Sequence, residues 1–328
     1  MKIAGMRQIA LTLFVTGIGT LMSVISVAQE YPSRPVRLVV PFTPGSPSDL
    51  MGRVMAQHLS TTWSQPVVIE NKAGASGVIG ADTVAKATPD GYTLLMGGTG
   101  ALAILPSLRK EIPYQTTRDF APITLVAFSP TVLAVGQSVP VSSIQELIAL
   151  AKAKPNQLNY ATSGIGSPAH LNVEMLKKIA GIQLVHVDYK VSTAPVADLI
   201  SGQVQVMFTG ISSLLPHIKS GKLKALATGG PTRSGLLPSV PTVIESGFPG
   251  FIADIWSGLL APAKTPSAIV TRVNRDAVTL IKSAEVKERF VALGADLLGD
   301  SPEQFSRYIV AEIDKWAKVI KDANIPRE

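Results

Sequence analysis

The stretch RLVVPFTPGSPSDL, residues 37–50, shows how this chain is built. An uninterrupted apolar run is followed by a turn rich in proline and glycine, and the turn opens a segment with helical spacing of its apolar residues. Continuously apolar strands are typical of parallel sheets that are covered on both faces. The stretch therefore predicts a strand at residues 38–42 and a helix at residues 49–63.

The turn between this strand and helix has two interpretations. Gly45 permits a close approach of a ligand to the backbone, and the first N–H groups of a helix lack internal partners, so the turn can bind an anion. It can equally be an ordinary connection in which Ser48 or Asp49 caps the helix.

The same alternation continues beyond this stretch. Strands predicted at residues 67–70 and 93–96, with a helix at 78–87, complete a βαβαβ unit. A second, similar unit follows, with strands predicted at residues 158–162, 183–189, 204–209 and 223–228 and helices at 142–154, 167–180, 194–201 and 213–220. The C-terminal part differs, because helices predicted at 266–282, 284–293 and 302–322 accompany one short strand at 296–298.

Two long extended runs, residues 121–135 and 252–261, lie between these units. We interpret them as paired crossover strands that return the C-terminal helices to the first lobe. The predicted fold class is therefore α/β, with two lobes and a cleft between them. The first lobe is discontinuous, residues 29–126 and 255–328, and the second lobe comprises residues 127–254.

The N-terminal segment has the three parts of a secretory signal peptide. Lys2 and Arg7 precede an uncharged run at residues 9–25, and Ser26-Val27-Ala28 supplies small residues before Gln29. Several threonines, glycines and a serine interrupt the run, which makes it a poor permanent anchor. We expect residues 1–28 to be removed and the mature chain, starting at Gln29, to reside in the periplasm.

The composition excludes several functional classes. The chain has no cysteine, which rules out disulfides, thiol catalysis and Cys-ligated zinc. Its formal charge is +7, but the basic residues are scattered, so we expect no binding to nucleic acid. None of the four histidines is spaced as a metal pair, and no nucleophile elbow is present. We therefore expect a binding protein with no catalytic residues, no cofactor and no metal.

A second glycine-rich turn, TSGIGSPAH at residues 162–170, again joins a strand to a helix. The spacing of its glycines, with Asp188 ending the next strand, also matches a dinucleotide fingerprint, so a dinucleotide-dependent enzyme is an alternative. Its position mid-chain in an exported protein argues against that alternative. We interpret the turn as an anion clamp, formed by the N–H groups of Gly166 and Ser167 and the hydroxyls of Ser163 and Ser167; a plain turn is the third possibility.

Several strings occur in the order that is typical of one protein family. They are YPSRPV at residues 31–36, PFTPG at 41–45, ENKAGA at 70–75, TPDGYT at 88–93, GIGSPAHL at 164–171, LLPSVPT at 236–242 and WSGLLAPA at 256–263. Over essentially the whole mature chain the sequence resembles the Bug/TctC family, the extracytoplasmic receptors of tripartite tricarboxylate transporters. The resemblance implies a Venus-flytrap fold, similar to that of type II periplasmic binding proteins. It also implies that an amino acid, a citrate-like acid or an aromatic carboxylate is held mainly by main-chain groups and ordered waters.

Carried over by motif, the resemblance places the ligand-binding residues in loops of both lobes. Those of the first lobe are Phe42, Thr43, Gly45, Ser46 and Asp49, with Asn71, Ser76 and Gly77 in a second loop. Those of the second lobe are Ser163, Gly164, Gly166, Ser167 and His170, with Asp188 and Tyr189 after the next strand.

The chain departs from the family pattern at two of these positions. Ser46 stands where the family usually has glycine, and Asp188 stands where proline is usual. Asp188 either faces a ligand amino group or pairs with Lys190, and we favour the pairing. As partners we expect the small carboxylate and the permease subunits of a transporter, bound by a monomeric receptor. A ligand-binding sensory module with a signalling partner is the alternative.

Overall fold

The computed structural model describes residues 31–162, 164–189 and 194–327. The predicted signal peptide and its cleavage site lie outside the described residues, as do Ser163 and Lys190. From Arg34 onward the chain forms one compact unit. Within the described residues, no helix combines the length and the apolar character needed to cross a membrane.

Strands and helices alternate along most of the described chain. The strands are β1 (Val36–Val40), β2 (Val67–Asn71), β3 (Thr93–Gly98), β4 (Phe120–Ser129), β5 (Thr131–Gly136), β6 (Asn159–Thr162), β7 (Val185–Asp188), β8 (Val206–Gly210), β9 (Leu223–Thr228), β10 (Ile255–Pro262) and β11 (Asp296–Leu297). The helices are α1 (Pro47–Trp63), α2 (Val78–Ala85), α3 (Leu105–Leu108), α4 (Thr116–Asp119), α5 (Ile144–Ala153), α6 (Pro168–Ala180), α7 (Ala194–Ser201), α8 (Ile211–Lys219), α9 (Ser267–Ile281), α10 (Ala284–Ala292) and α11 (Pro302–Asp322). A 3₁₀ turn at Ala75–Gly77 precedes α2, and a π-helical turn at Gly100–Ile104 precedes α3.

The strands form two mixed sheets. The first sheet has the order β11-β4-β10-β3-β1-β2, in which β1 is parallel to β2 and β3. Strand β10 is antiparallel to both of its neighbours, β3 and β4. The second sheet has the order β7-β6-β8-β5-β9, with β6 parallel to β7 and β8, and with β5 antiparallel to β8 and β9. The two βα units predicted from the sequence therefore lie in two different sheets, and all of their predicted strands except β9 form the parallel parts of these sheets.

Two crossovers connect the sheets. The chain passes from the first sheet to the second at Pro130, between β4 and β5, and returns before β10. Strands β4 and β10 are paired, with Ile255 opposite Ser129, as the two long extended runs predict. The predicted two-lobe α/β fold is thereby confirmed. The lobe boundaries at residues 126/127 and 254/255 stay predictions, and β4 itself continues in the first sheet to Ser129.

Each sheet has its own apolar core. Trp256, Trp316 and Phe305 are buried beside the first sheet, and Phe208 and Phe251 are buried beside the second. Fully burying one large apolar side chain contributes roughly 1.5–3 kcal/mol. Each sheet is therefore stabilised by a core of its own.

The start of α1 differs from the sequence prediction. Helix α1 begins at Pro47, and its N-cap is Ser46, whose hydroxyl accepts a hydrogen bond from the N–H of Asp49 at 3.3 Å. Proline at the first helical position is favourable because the missing N–H would have no partner there. The predicted cap at Ser48 or Asp49 is therefore wrong by two or three residues.

Candidate functional site

A cleft of about 330 Å³ lies where elements of the two sheets meet. From the first sheet it is lined by residues at the end of β3, residues that follow β1, β2 and β3, and the start of β10. From the second sheet it is lined by the turn between β6 and α6 and by the first residue of α6. The lining residues are Phe42, Ser48, Ser76, Gly98, Thr99, Gly100, Leu105, Gly164, Ile165, Gly166, Ser167, Pro168, Ile255, Trp256 and Ser257. Ligands of open α/β sheets bind at the carboxyl ends of parallel strands, which is where this cleft lies.

The turn after β1 is held in place by a buried carboxylate. Asp49 is 1% exposed, and it accepts hydrogen bonds from the N–H of Gly45 at 2.9 Å and from Nδ2 of Asn71 at 2.8 Å. Arg53, one helical turn later, forms an ion pair with it at 2.9 Å. Asn71 also donates to the carbonyl of Phe42 at 3.0 Å, which connects the end of β2 to this turn.

These contacts also set the charge of Asp49. Burial by itself raises the pKa of a carboxyl group, but the hydrogen bonds from Arg53, Gly45 and Asn71 outweigh it and hold the pKa of Asp49 below its usual value. Asp49 is therefore ionised, and its oxygens are occupied by the protein. Asp49 and Asn71 do not line the cleft. They hold the turn that forms its first-lobe wall.

The turn at residues 164–167 uses its N–H groups differently from the prediction. The N–H of Gly166 donates to Nδ1 of His170 at 3.0 Å, and the N–H of Ser167 donates to the carbonyl of Gly164 at 3.2 Å. The predicted anion clamp through these two N–H groups is therefore corrected, because both already have internal acceptors. The N–H groups of Gly164 and Ile165, in contrast, donate to no described residue.

Helix α6 follows this turn and is capped by it. The hydroxyl of Ser167 accepts a hydrogen bond from the N–H of His170 at 3.2 Å, and Pro168 occupies the first helical position. The sequence predicted that this helix begins at Ser167, which is instead its N-cap, one residue before the helix. The cap directs the beginning of α6 toward the cleft.

The predicted site residues divide into two groups. Those that line the cleft are Phe42, Ser76, Gly164, Gly166 and Ser167. Those that lie outside its lining are Thr43, Gly45, Ser46, Asp49, Asn71, Gly77, His170, Asp188 and Tyr189. Ser163 lies outside the described residues.

Two residues of the second group, Asp188 at the end of β7 and Tyr189 directly after it, lie outside the lining of the cleft. Tyr189 donates its hydroxyl to Asp198 at 2.6 Å, and burial together with this carboxylate raises the pKa of Tyr189 to about 12. Asp188 is exposed at the end of β7, paired in the sheet with Thr162. The alternative in which Asp188 receives a ligand amino group therefore has no support in this geometry.

The cleft combines small polar groups with apolar surface. The hydroxyls of Ser48, Ser76 and Ser257 line it, and none of the three hydrogen-bonds to another described residue. Apolar surface comes from Phe42, Ile165 and Ile255. None of the described lining residues carries an ionisable side chain. Within the described residues, no group of three or more acidic or histidine side chains is placed to hold a metal ion.

Sequence reasoning missed the part of the cleft that β3 and β10 contribute. Gly98 ends β3, Thr99 and Gly100 follow it, and Ser257 is paired with Gly98 in the antiparallel register of β10. The hydroxyl of Thr99 also accepts a hydrogen bond from the N–H of Trp256 at 2.9 Å. A signal was present, because residues at the carboxyl end of a predicted parallel strand are candidates for ligand contact. The contribution of β10 needs the pairing register, which the sequence does not give.

Comparisons with known proteins match this architecture over most of the chain. The family model described as tripartite tricarboxylate transporter family receptor, TctC, matches residues 51–325. Protein BugT of Bordetella pertussis is 39% identical over 296 residues, which cover 90% of this chain and 91% of BugT.

Two solved structures have a bound acid. The R. palustris protein Rpa4515 with adipate is 35% identical, with a TM-score of 0.79 over 90% of this chain and 99% of that one. MatC from Rhodopseudomonas palustris with bound malate is 31% identical, with a TM-score of 0.74 over 88% of this chain and 100% of that one. The family consists of binding proteins and not of enzymes, which removes the dinucleotide-dependent enzyme. The chain belongs to the TctC family of tripartite tricarboxylate transporter receptors.

Proposed function

We propose that this protein captures a small carboxylate with a mainly hydrocarbon body in the periplasm and delivers it to the membrane subunits of a tripartite tricarboxylate transporter. Membership of the receptor family supports the transport role. The N-terminal segment, with its charged start and uncharged run, supports export. The chemistry of the cleft supports the capture of a carboxylate.

The proposed class of ligand rests on the groups that line the cleft. The described lining offers hydroxyl and N–H donors and apolar side chains, but no ionised side chain. A carboxylate can be held by such dipoles, as anions are at helix starts. Each further carboxylate on the same ligand must be desolvated without a compensating positive charge, and burying an unpaired charge is costly. We therefore propose a monocarboxylate or dicarboxylate rather than a citrate-like tricarboxylate.

The size and the surface of the cleft agree with a ligand of this kind. A volume of about 330 Å³ is at the low end of the roughly 300–1,000 Å³ found for small-molecule pockets. Phe42, Ile165 and Ile255 give it walls that suit a hydrocarbon chain or ring. The relatives with adipate and malate bind dicarboxylates of this size, which supports the proposal.

A thermal-shift screen tests the proposal. The purified mature protein is heated with adipate, malate, benzoate, glutamate, citrate and, as a control of another class, NAD. A ligand present at 100 times its Kd stabilises the folded state by about 2.7 kcal/mol, so an acid that binds raises Tm. We expect adipate or benzoate to give the largest increase and citrate the smallest. The proposal would be contradicted if NAD alone raised Tm, or if none of the acids raised it.

Tryptophan fluorescence then locates the bound acid. Trp256 is one of the lining residues, with its indole buried in the adjoining core, whereas the indole of Trp63 donates to Asp276 at 2.8 Å outside the described lining. We expect the acid found in the screen to change the emission of the wild type and of Trp63→Phe, and to leave that of Trp256→Phe unchanged. The reverse pattern would place the ligand elsewhere.

A further inference from the structure

A cluster of titratable side chains lies directly behind the turn at residues 164–167. Its members are Tyr160 on β6, His170, Glu174 and Lys177 on α6, and His186 on β7, and none of them belongs to the described lining of the cleft. The rings of His170 and His186 are stacked with centroids 4.3 Å apart. Glu174 accepts hydrogen bonds from Tyr160 at 2.5 Å and from Lys177 at 2.6 Å. Buried titratable groups are costly, so their place behind a ligand-facing turn needs an explanation.

His170 connects this cluster to the turn. Its side chain is buried, and Nδ1 accepts the hydrogen bond from the N–H of Gly166. A neutral imidazole has one donor and one acceptor nitrogen, so an accepting Nδ1 puts the proton on Nε2. Nε2 lies 4.0 Å from a carboxylate oxygen of Glu174. The cluster thus favours the tautomer that leaves Nδ1 free to hold Gly166.

The surroundings also keep His170 uncharged. Burial, and next the neighbouring His186, lower the pKa of His170 to about 4; Lys177 acts in the same direction, and Glu174 and Asp188 act against it. Burial lowers the pKa of His186 as well. Both rings are therefore neutral at neutral pH, and Nδ1 of His170 is available as an acceptor.

The hydrogen bond determines which groups of the turn face the ligand. In a trans peptide the N–H and the preceding carbonyl point in opposite directions. With the N–H of Gly166 directed at His170, the carbonyl of Ile165 points away from the buried cluster. Beside this peptide, the N–H groups of Gly164 and Ile165 donate to no acceptor among the described residues. A rotation of the Ile165–Gly166 peptide would break this hydrogen bond and turn the carbonyl of Ile165 toward the cluster.

We propose that His170 is a positioning residue for ligand capture, which holds the N–H of Gly166 through Nδ1 and so fixes the turn at residues 164–167 in its ligand-binding conformation. The inference rests on the proposed function, since it assigns His170 to the same site. It replaces the expectation that His170 contacts the ligand. Protonation of Nδ1 would place two donors face to face and release the turn.

Two substitutions separate this role from packing. In His170→Asn, the side-chain Oδ1 occupies nearly the place of Nδ1 and can accept the hydrogen bond, although the ring is lost. In His170→Phe, the ring and its stacking on His186 are kept, but the acceptor is lost. A positioning role predicts that His170→Asn binds the acid within about threefold of the wild type, while His170→Phe binds it about tenfold or more weakly, as expected for an orphaned buried donor. A packing role predicts the opposite order.

The experiment measures the Kd of adipate, malate and benzoate by calorimetry for the three proteins at pH 7, with the Tm of each as a control of folding. For any acid that binds the wild type, equal affinities of the two variants, or weaker binding by His170→Asn, would overturn the inference. A pH series adds a second readout. The affinity of the wild type should fall more steeply between pH 5 and pH 4 than that of His170→Asn, because only the wild type has a histidine to protonate at this position.

Amide hydrogen exchange keeps the inference separate from the proposed function. The Gly166 amide should be protected in the wild type and in His170→Asn, and exchange at least tenfold faster in His170→Phe, without any ligand present. If none of the acids binds the wild type, the proposed function fails, while this measurement still decides whether His170 holds the turn. Equal exchange rates in the two variants would overturn the inference on its own.

Discussion

Asp49 and Asp254 are both buried carboxyl groups, and the structure shifts their pKa values in opposite directions. Asp49 receives hydrogen bonds from an arginine, an amide and a backbone N–H, which favour its charged form. Asp254 lies just before β10, is 5% exposed, and its hydrogen-bond donor is the N–H of Thr131, across the two crossovers. Neither residue lines the cleft. Asp49 holds the turn after β1 and Asp254 lies at the crossover before β10, and these two segments orient the cleft.

Replacing Asp254 by asparagine should change the pH dependence of stability. Burial raises the pKa of Asp254 to about 7; the N–H of Thr131 and the charge of Lys315 oppose this, and Asp296 and Glu312 add to it. The folded state therefore holds a proton that the unfolded chain loses near pH 4, so the stability contributed by this group falls as pH rises from about 4 to 7. A shift of this size corresponds to about 4 kcal/mol. Asp254→Asn should match the wild type near pH 4 and be more stable at pH 8.

Urea unfolding of both proteins from pH 4 to pH 9 measures this difference. The comparison removes the contributions of other titrating groups, because they are shared by the two proteins. Parallel stability profiles would show that Asp254 is ionised in the folded state at neutral pH.

Replacing Asp49 by alanine should have the opposite pH dependence. The substitution leaves the N–H of Gly45 and the amide of Asn71 without their acceptor, whereas Arg53 is half exposed and can be hydrated. We expect a loss of about 2 kcal/mol at pH 7. Because the folded-state pKa of Asp49 is lowered, this contribution is present above its unfolded pKa and is lost as pH falls through the folded value.

A matched control for Asp49→Ala is Glu285→Ala. Glu285 is 67% exposed and lies 3.7 Å from His58, so its removal should change stability by less than about 0.5 kcal/mol. Equal losses in the two variants at pH 7, or a loss for Asp49→Ala that persists unchanged at pH 3, would contradict the assignment of Asp49 as the anchor of the turn.

At the level of elements, periodicity predicted the order of strands and helices, and local chemistry set their ends. Strand β1 ends at Val40 rather than at residue 42, because Pro41 has no N–H to add to the ladder. The extended run predicted at residues 121–135 is two strands, β4 and β5, which lie in different sheets on either side of Pro130. The π-helical turn at Gly100–Ile104 was not predicted, since it lacks the regular period of a strand or an α-helix.

The glycines at the two ends of α6, Gly166 and Gly181, differ in the space around them. Gly166 has φ +71°, and a Cβ added there would lie 1.8 Å from Cδ2 of Leu108, a core residue of α3 beside the first sheet. Gly181, at the other end of α6, has a similar φ of +62° and open space around it. Gly166→Ala and Gly181→Ala therefore introduce the same backbone strain, of roughly 1 kcal/mol, but only Gly166→Ala prevents the turn from resting against Leu108.

We expect Gly166→Ala to weaken binding of the acid at least tenfold and Gly181→Ala to leave its Kd unchanged, with the larger loss of Tm in Gly166→Ala because its Cβ also meets the buried Leu108. Calorimetry and thermal unfolding of the two variants check this. Equal affinities would show that the contact between Gly166 and Leu108 is unnecessary for binding.

At the level of the whole molecule, the sequence predicted two lobes with a cleft and about a third of its lining residues. The turns after β1 and β6 were identified because glycine, proline and serine mark them, whereas Leu105 and Ile255 are ordinary apolar residues that become part of the wall only through tertiary packing. The role of His170 was also hidden, because a hydrogen bond between an imidazole and a backbone N–H leaves no sequence pattern. Binding by main-chain groups therefore limits what a sequence can show about a ligand.

We expect a bound acid to close the cleft. Two short crossovers join the sheets, and cleft-lining residues come from both, so a rotation about the crossovers would open the wall. A ligand shifts such an equilibrium only by its extra affinity for the closed form. A micromolar ligand has about 8 kcal/mol of binding free energy in total, and about 5.5 kcal/mol converts a population that is 99% open to one that is 99% closed.

Contacts on one side alone would not distinguish the two forms, because a ligand held by only one lobe binds open and closed states equally. We therefore expect small-angle scattering to show a smaller radius of gyration when the wild type is saturated with the acid that binds. Gly166→Ala, in which the turn cannot rest against Leu108, should contract less at the same saturation, and citrate at equal concentration should have no effect. An unchanged radius for the saturated wild type would mean that binding requires no closure, and the hinge would then have no part in capture.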